Sequence, residues 1–298
     1  MRPTLCPLCR TNGFDHEVYA RNFEIEAVSA AVFSARRLPD RLHYRMVRCG
    51  QCGLLRSDPI LTGDVLAALY AKSEFTYAAE APFTSATYAQ YLLRALPLVS
   101  QRGRLLEIGC GNGFFLDEAI RAGFTDARGV EPSVAAVRQA PERWREKIQL
   151  GLYEVTSYPA RHFDVVCGFQ VLDHAPDPVA LVEACREHLT PGGVALFINH
   201  DAGALSARLL GELSPIVDVE HTALFDRRTM RRLFEQGGLA VEEIFAVRNT
   251  YPLSYWAKLA PLPAALKRLL LAGLARTRLA QLPLTLSAGN LGLIAVKR

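Results

Sequence analysis

Apolar runs of strand length alternate with helical patterns through the middle of the chain. We predict strands at 105–108, 127–131, 148–151, 162–169 and 194–198. The fourth is a continuous apolar run, which is typical of a parallel strand buried on both faces. Helix signals lie between the strands, such as an N-cap at Ser133 and a helix-ending glycine at Gly123. This alternation predicts an α/β fold with a mostly parallel sheet.

The end of the chain predicts two more strands, at 239–247 and 290–296. Paired strands usually join through a short turn, yet roughly 40 residues separate these two. Residues 248–289 are therefore expected to be an insertion over or beside the functional edge of the sheet.

Residues 59–103, ahead of the first sheet strand, predict a helical linker or lid. A helix over 84–101, with a bend or break at Pro97, would place Tyr88 on its apolar face. Tyr77 lies in the loop before it, and both tyrosines are either lid residues or packing residues.

The composition fits one large α/β domain with a small appendage. The chain has 298 residues, of which 50% are hydrophobic. No uninterrupted apolar run reaches the ~20 residues that a membrane span requires. The first residues lack the apolar core of a signal peptide, so we expect a cytoplasmic protein.

Positive charge is concentrated at the end of the chain. The net charge is +4, but residues 244–298 hold eight basic and no acidic residues. The remainder, with 26 basic and 30 acidic residues, therefore has a net charge of −4. A protein that binds nucleic acid over its whole surface would rarely show this distribution, so nucleic acid is not the expected partner.

Four cysteines near the start form two C-x-x-C pairs, Cys6 with Cys9 and Cys49 with Cys52. Each pair can place two thiolates on one metal, and two pairs give a tetrahedral site. We predict a structural zinc ribbon over 1–58, without a catalytic role because protein would occupy all four positions on the metal. A redox C-x-x-C is the main alternative, and two matched pairs argue against it.

A glycine-rich turn follows the first predicted strand of the sheet. It reads Glu-Ile-Gly-Cys-Gly-Asn-Gly over residues 107–113. The nicotinamide fingerprint G-x-G-x-x-G would require its third glycine at Phe114 or Leu116, so this turn is of another kind. Its glycines allow positive φ and close backbone approach to a ligand. The following helix, expected from about Gly113, offers free amides at its start.

Two residues at strand ends complete the candidate site. Glu131 ends the second strand, 22 residues after Gly109, where a carboxylate in Rossmann-type sheets accepts ribose hydroxyl protons. Gln170 follows the fourth strand at the carboxyl edge, where ligands of open α/β sheets lie. The sequence therefore predicts a nucleoside-binding edge.

Five motifs now stand in the order and spacing of class I S-adenosylmethionine (SAM) methyltransferases. They are Glu-Ile-Gly-Cys-Gly-Asn-Gly, Gly-Val-Glu-Pro-Ser, Phe-Asp-Val-Val, Val-Leu-Asp-His-Ala-Pro-Asp-Pro and Leu-Thr-Pro-Gly-Gly. The chain resembles the bacterial branch that carries an N-terminal zinc ribbon, often associated with methylation of sugars, surface polysaccharides or natural products. The resemblance implies a seven-stranded sheet of order 3-2-1-4-5-7-6 and a SAM-binding domain over 104–298.

The resemblance also implies which residues contact SAM. They are Glu107, Gly109, Cys110, Gly111, Gly113, Glu131, Pro132, Tyr153 and Gln170. Two positions depart from the family pattern: Asp173 stands for the common Glu, and Asn199-His200-Asp201 replaces the usual Pro-Asn.

Methyl transfer needs alignment, exclusion of water and, for some acceptors, a base. His174, His200 and His221 are the candidates, since all three lie on loops expected at the carboxyl edge. In the resembled family a histidine in a Glu-His-x-x-x-Phe context lies beside the acceptor, which makes His221 the first candidate. Each histidine has a structural alternative as a loop anchor or helix cap. His200 and Asp201, together with Asp173, could instead bind a divalent ion.

The expected function is SAM-dependent methylation of a hydroxyl or activated carbon on a small polar molecule, such as a sugar or glycoconjugate. One alternative is an RNA methyltransferase, against which stands the lack of an Asn/Asp-Pro-Pro-Tyr/Phe loop. Another is a non-catalytic zinc-dependent partner protein, against which stand the glycine turn and Glu131. Residues 253–281 are mostly apolar, with scattered Lys and Arg and no acidic residue. They could contact a membrane or a lipid-linked acceptor, form a lid or homodimer interface, or add a packed pair of helices.

Overall fold

The computed structural model describes residues 1–24, 41–62, 65, 68–69, 81–260 and 262–298. Tyr77 of the expected lid lies outside the described residues. The described strands are β1 (Asp15–Tyr19), β2 (Met46–Cys49), β3 (Leu55–Ser57), β4 (Arg104–Ile108), β5 (Asp126–Glu131), β6 (Ile148–Leu150), β7 (Phe163–Phe169), β8 (Leu189–His200), β9 (Ala223–Leu224), β10 (Ala240–Pro252) and β11 (Pro283–Val296). The described α-helices are α1 (Ala81–Ala95), α2 (Leu116–Arg121), α3 (Val134–Arg138), α4 (Glu142–Arg145), α5 (Pro178–His188), α6 (Leu205–Leu210), α7 (Arg227–Gln236), α8 (Leu253–Leu259) and α9 (Ala264–Ala275).

Seven of these strands form the central sheet, in the order β6-β5-β4-β7-β8-β11-β10. Counted along the chain within this sheet, the order is 3-2-1-4-5-7-6. Strands β4 to β8 pair in parallel, and β11 runs antiparallel between β8 and β10. The prediction of an α/β fold is confirmed. The carboxyl ends of five parallel strands consequently meet at one edge of the sheet.

The sheet is buried because its central strands are apolar on both faces. Leu105 and Leu106 of β4 are fully buried, as are Val165 and Val166 of β7. Successive side chains of a strand point to opposite faces, and these residues accordingly divide between two core clusters. Burying an aliphatic side chain of this size contributes about 1.5–3 kcal/mol. The two clusters hold the loops at the carboxyl edge on a rigid base.

Local signals set several helix ends. Ser133 caps α3 by accepting the Ala136 amide, and Asp226 caps α7. Gly123, at φ +97°, ends α2. The helix predicted over 84–101 begins earlier and ends at Ala95, because a 3-10 turn containing Pro97 follows it. Within the described ranges, no helix combines the length and hydropathy needed to cross a bilayer.

The last two strands form a hairpin that is longer than the sequence predicts. Their pairing runs from Ala240 opposite Val296 to Pro252 opposite Pro283. The insertion expected over 248–289 therefore begins and ends as strand, and only its middle is helical. The two helices of this middle part, α8 and α9, contact each other.

The cysteine region forms a separate four-stranded sheet of order β1-β2-β3-β9. Its last strand, β9, comes from the region after His221 and pairs with β3. The Ser57 amide donates to the Thr222 carbonyl at 2.9 Å, and Ser57 Oγ donates to the His221 carbonyl at 3.0 Å. The N-terminal unit is thus fastened to the loop that carries His221.

Candidate active site at the carboxyl edge of the sheet

A cavity of about 1590 Å³ lies at the carboxyl ends of β4, β5, β7 and β8. Ile108, Glu131, Phe169 and His200, each at or next to the end of one of these strands, line it. Sites for one small molecule are typically about 300–1,000 Å³. The cavity therefore has room for two ligands side by side.

The glycine turn forms one wall of this cavity. Gly109, Gly111 and Gly113 have φ values of +68°, +57° and +77°, a backbone region that favours glycine. A Cβ on Gly109 would also lie 2.7 Å from Val171 Cγ2. The helix after the turn begins at Leu116, later than expected, because the left-handed conformation of Gly113 cannot belong to an α-helix. Of the three glycines, only Gly109 lines the cavity.

Glu131 lies against the glycine turn. Its Oε2 accepts the Gly111 amide and its Oε1 accepts the Ser133 amide, both at 2.8 Å. Burial raises the pKa of Glu131, and the two amide hydrogen bonds oppose that increase. Each carboxylate oxygen can accept further hydrogen bonds, and Glu131 lines the cavity. The carboxylate is thus held in place and remains able to accept the hydroxyl groups of a ligand.

Two other side chains of the cavity wall carry buried acceptors. Glu107 Oε2 and Gln170 Oε1 have no hydrogen-bond partner within the described part of the chain. Burial, together with the Glu131 carboxylate, raises the pKa of Glu107 well above its usual value. Gln170 also has a φ of +59°, a strained conformation for a side chain of this kind. Unsatisfied buried acceptors beside a cavity fit a ligand that carries an ammonium group and other donors.

Of the other residues expected to contact the cofactor, some line the cavity and one does not. Pro132 and Tyr153 line the cavity, and the Tyr153 hydroxyl is 2.6 Å from His188 Nδ1, which fixes the ring. The Cys110 side chain does not line the cavity. It is fully buried, and a Cβ on Gly129 would lie 2.3 Å from its Sγ. The missing Cβ of Gly129 makes room for this thiol in the core, so a contact between Cys110 and a ligand would have to come from its backbone.

A buried carboxylate and a partly exposed imidazole form a pair at the carboxyl ends of β7 and β8. Asp173 Oδ2 is hydrogen-bonded to His200 Nδ1, and Asp173 Oδ1 accepts the Asn199 side-chain amide. Burial would raise the pKa of Asp173, but the neighbouring imidazoles, first among them His200, hold it well below its usual range. Because an ionised carboxylate can only accept hydrogen bonds, His200 donates from Nδ1, and Nε2 is the ring nitrogen left for a ligand. His200 lines the cavity, and its side chain is 23% exposed.

The other two candidate histidines pack around this pair. The ring centroid of His221 lies 4.7 Å from that of His200 and 4.8 Å from that of His174. His221 Nδ1 is 2.7 Å from the Ile216 carbonyl, to which it donates. Burial and then His200 lower the pKa of His221. The structure thus brings all three histidines named from the sequence into one cluster.

Lowering the pH from about 6.5 to about 4 is expected to destabilise this cluster. Burial, followed by the neighbouring His221, lowers the pKa of His174 to about 4, whereas a histidine in the unfolded chain titrates near 6.5. In this window the unfolded chain binds a proton that the folded chain excludes. The free energy of unfolding should therefore fall with pH, by on the order of 2 kcal/mol. Urea titrations across the window measure it.

His174→Gln is the matched variant for this pH dependence. It removes the titrating group while keeping a polar side chain of similar length, so its stability should depend less steeply on pH. An identical slope in the wild type and His174→Gln would show that the effect arises elsewhere.

The sequence model of the family described as "Methyltransferase domain" matches residues 79–244, more than half of the chain. The chain belongs to this methyltransferase domain family. The match covers β4 to β8, the glycine turn, Glu131 and all three clustered histidines.

Curated relatives of the methyltransferase domain support this assignment. A ubiquinone biosynthesis O-methyltransferase from Thiobacillus denitrificans is 29% identical over 154 residues, which are 47% of this chain and 66% of that protein. One from Cereibacter sphaeroides is 34% identical over 125 residues, 39% of this chain and 49% of that protein. The chain spans only about half to two thirds of these relatives.

A solved structure agrees with the fold of the methyltransferase domain. The YcgJ protein from Bacillus subtilis superposes with a TM-score of 0.50 at 18% identity, covering 71% of this chain and 98% of that one. At this identity the similarity concerns the fold alone.

The sequence analysis did not predict two features of the cavity: two aromatic residues in its wall and a short strand that holds the His221 loop. Tyr255 and Trp256 of α8 line the cavity, although they lie more than 80 residues beyond Gln170. The loop of His221 is held by the N-terminal sheet through the two-residue strand β9, which is too short to leave a pattern in the sequence. The helical insertion itself was the only available signal for Tyr255 and Trp256.

The four N-terminal cysteines come together as their spacing predicts. Their Sγ atoms lie within 4.8 Å of one another, and those of Cys6 and Cys52 are 3.5 Å apart. Four thiolates around one zinc ion at ~2.3 Å would be spaced by about 3.8 Å. The donor set and its spacing therefore fit a tetrahedral metal site.

Proposed function

We propose that the chain transfers a methyl group from SAM to a hydroxyl of a small molecule. One observation carries this proposal: a single cavity is lined both by Glu107 and Glu131 at the glycine turn and by His200, whose imidazole is hydrogen-bonded to the buried Asp173. The first group fits the polar and cationic parts of SAM. The second fits an acceptor that must lose a proton.

The chain's own groups suit each part of the cofactor. Glu131 would accept the ribose hydroxyls, and Glu107 with Gln170 would face the amino acid part, where their buried acceptors need donors. Tyr153 and Leu152 would lie beside the base, since both line the cavity after β6. When bound, SAM supplies a methyl group on a sulfonium, so the protein need only align the acceptor and remove its proton.

His200 is the base that the geometry favours. Asp173 orients its imidazole and stabilises the imidazolium that forms when Nε2 takes the hydroxyl proton. The Asn199 amide holds the carboxylate in turn. His221, the first candidate by sequence, also lines the cavity, but it is more deeply buried, and its Nδ1 donates to the neutral Ile216 carbonyl, which stabilises an imidazolium less than a carboxylate does. It would support the ring of His200 rather than take the proton.

Binding of a divalent ion is a less suitable function for the same cluster. Asp173, His200 and His221 each offer one ligand atom within 4.8 Å of the others. The hydrogen bond between Asp173 and His200 occupies one atom of each residue, and it would have to open to admit an ion.

The acceptor class rests on two supports. An aspartate–histidine pair is suited to deprotonating a hydroxyl, and the curated relatives are named as O-methyltransferases. Phenolic and sugar hydroxyls are both compatible with this chemistry. Because the relatives are named for ubiquinone biosynthesis, we favour a hydroxyl of a quinone-type small molecule over the sugar expected from the family resemblance.

Calorimetric titration of the full chain with SAM and S-adenosylhomocysteine tests the cofactor half of the proposal. Methyl transfer from labelled SAM to a panel of catechols, phenols and nucleotide-sugars tests the acceptor half. Binding of neither nucleoside would remove the enzymatic proposal. Transfer to sugars alone would restore the sugar assignment.

We further propose that the cysteine cluster holds a structural zinc ion. Three of its thiols are buried, and the fourth is partly exposed. Because four protein sulfurs would complete the coordination, the metal would stabilise the N-terminal sheet and take no part in the reaction.

Cys9→Ser is expected to abolish this metal site. Metal analysis should fall from about one zinc per chain to near none, and the free energy of unfolding should drop by roughly 3 kcal/mol or more. Cys185→Ala, which changes a buried thiol outside the cluster, should keep its zinc. Equal zinc content in both variants would contradict the assignment.

A further inference from the structure

The helical middle of the insertion and the adjoining start of β11 present exposed leucines to solvent. We call this area the insertion surface, and it is formed by Leu266, Leu269, Leu270, Leu279, Leu282, Leu284 and Leu286. Each of these side chains is exposed, from 38% at Leu284 to 71% at Leu269. Exposed leucines in such number mark a contact site rather than an ordinary protein surface.

Helix α9 shows most clearly that none of the described residues covers this surface. It spans 12 residues, of which only Lys267 and Arg268 are charged, and none of its described side chains is buried. A helix packed on the core buries an apolar stripe. This one instead keeps Leu269 and its neighbours in contact with water.

The charge of the segment indicates what the surface meets. Lys267, Arg268, Arg276 and Arg278 flank the leucines, and there is no acidic residue anywhere in 244–298. Exposed leucines with basic residues beside them are the composition of segments that lie in the interface of a bilayer. Each Lys or Arg near an anionic membrane contributes attraction to its headgroups.

The insertion surface lies next to the candidate active site. Trp256 and Leu259 of α8 line the cavity, as does Leu286 of β11. Leu286 is also 40% exposed, so the cavity opens to solvent beside this surface. Helix α6, which contacts β11, also lines the cavity with Ser206 and presents the exposed Leu209.

We propose that the insertion surface docks on an anionic lipid bilayer and turns the mouth of the cavity toward it. A second copy of the chain suits this surface less well. A two-fold dimer joins identical patches, and here it would bring the same basic residues against one another. Phospholipid headgroups instead complement the positive charge, while the acyl boundary receives the leucines.

If the protein docks in this way, an acceptor could enter the cavity from the bilayer. Only this statement about the acceptor rests on the proposed function. An acceptor dissolved in the bilayer would reach the cavity without crossing water, whereas SAM would enter from the aqueous side. Membrane binding itself requires no catalysis, so the two proposals fail by different measurements.

Flotation of the full chain with vesicles tests the docking. Wild type should float with vesicles of phosphatidylcholine and phosphatidylglycerol at low salt, and not with phosphatidylcholine alone. Lys267→Gln and Arg268→Gln should each weaken binding about fivefold. Leu269→Glu combined with Leu270→Glu should abolish it, because charged side chains cannot enter the acyl boundary.

Leu93→Glu is the matched control, since Leu93 is an exposed leucine on α1. It should float like wild type, and all variants should keep wild-type affinity for S-adenosylhomocysteine. Failure of wild type to float with anionic vesicles would overturn the proposal. So would a dimer in solution that Leu269→Glu with Leu270→Glu converts to monomer, or equal loss of flotation in Leu93→Glu.

Discussion

Glu131→Ala should weaken binding of S-adenosylhomocysteine roughly 100-fold or more, because a hydrogen bond to a charged group is worth about 1.5–3 kcal/mol and the ribose offers two hydroxyls. The variant also frees the amides of Gly111 and Ser133, which the carboxylate now holds. Calorimetric titration measures the affinity. Urea unfolding of the same sample shows how much of the change reflects lost stability.

Asp126→Asn is the control for this measurement. Asp126 begins the strand that Glu131 ends, and it pairs with Arg128 and Lys147 away from the cavity. It should keep wild-type affinity. Binding by Glu131→Ala within a few-fold of wild type, in a protein that remains folded, would remove the ribose assignment and with it the cofactor proposal.

His200→Ala should lower kcat by about 10²–10⁴-fold, the range that a positioned general base contributes. Affinity for S-adenosylhomocysteine should not change, since the residues assigned to the cofactor are untouched. Asp173→Asn should lose most of the same factor because the imidazole would no longer be oriented and charge-stabilised. The double variant should be little worse than either single one, as expected for residues that act as a unit. Single-turnover rates with a phenolic acceptor measure the chemical step.

His162→Gln is the matched histidine control. His162 directly precedes β7, at the amino end of that strand and away from the cavity, so kcat should remain at the wild-type value. An unchanged kcat in His200→Ala would exclude it as the base. If His221→Ala then lost activity while its cofactor affinity held, the original order of candidates would be restored.

The placement of Glu131 beside the glycine turn could be predicted from the sequence because the two are close along the chain. The glycine turn and Glu131 are separated by one helix, and parallel pairing of β4 with β5 places them together. Spacing alone therefore led to the contact between Glu131 and the Gly111 amide. The direction of the Cys110 side chain could not be predicted, since it depends on the space left by the neighbouring Gly129.

The three histidines could be identified from the sequence, but their contacts with one another and with Asp173 could not. His174, His200 and His221 were each visible as polar residues after strands or before helices. Their order of importance depended on which imidazole met Asp173, and that contact joins β8 to the loop after β7. No local pattern encodes such a pairing. The same holds for the long hairpin, whose strands extend past Val247 because Thr250 and Thr285 meet across it.

Because β9 pairs with β3, the N-terminal sheet and the central sheet are not independent folding units. Cutting away residues 1–58 would leave β9 without a neighbour and would release the carbonyls of His221 and Thr222 from Ser57. Thr222 in turn donates its amide to the Asp173 carbonyl at 2.7 Å. A truncated protein containing the larger sheet alone would therefore have a poorly ordered loop around His221 and Asp173. The glycine turn and Glu131 would be unaffected.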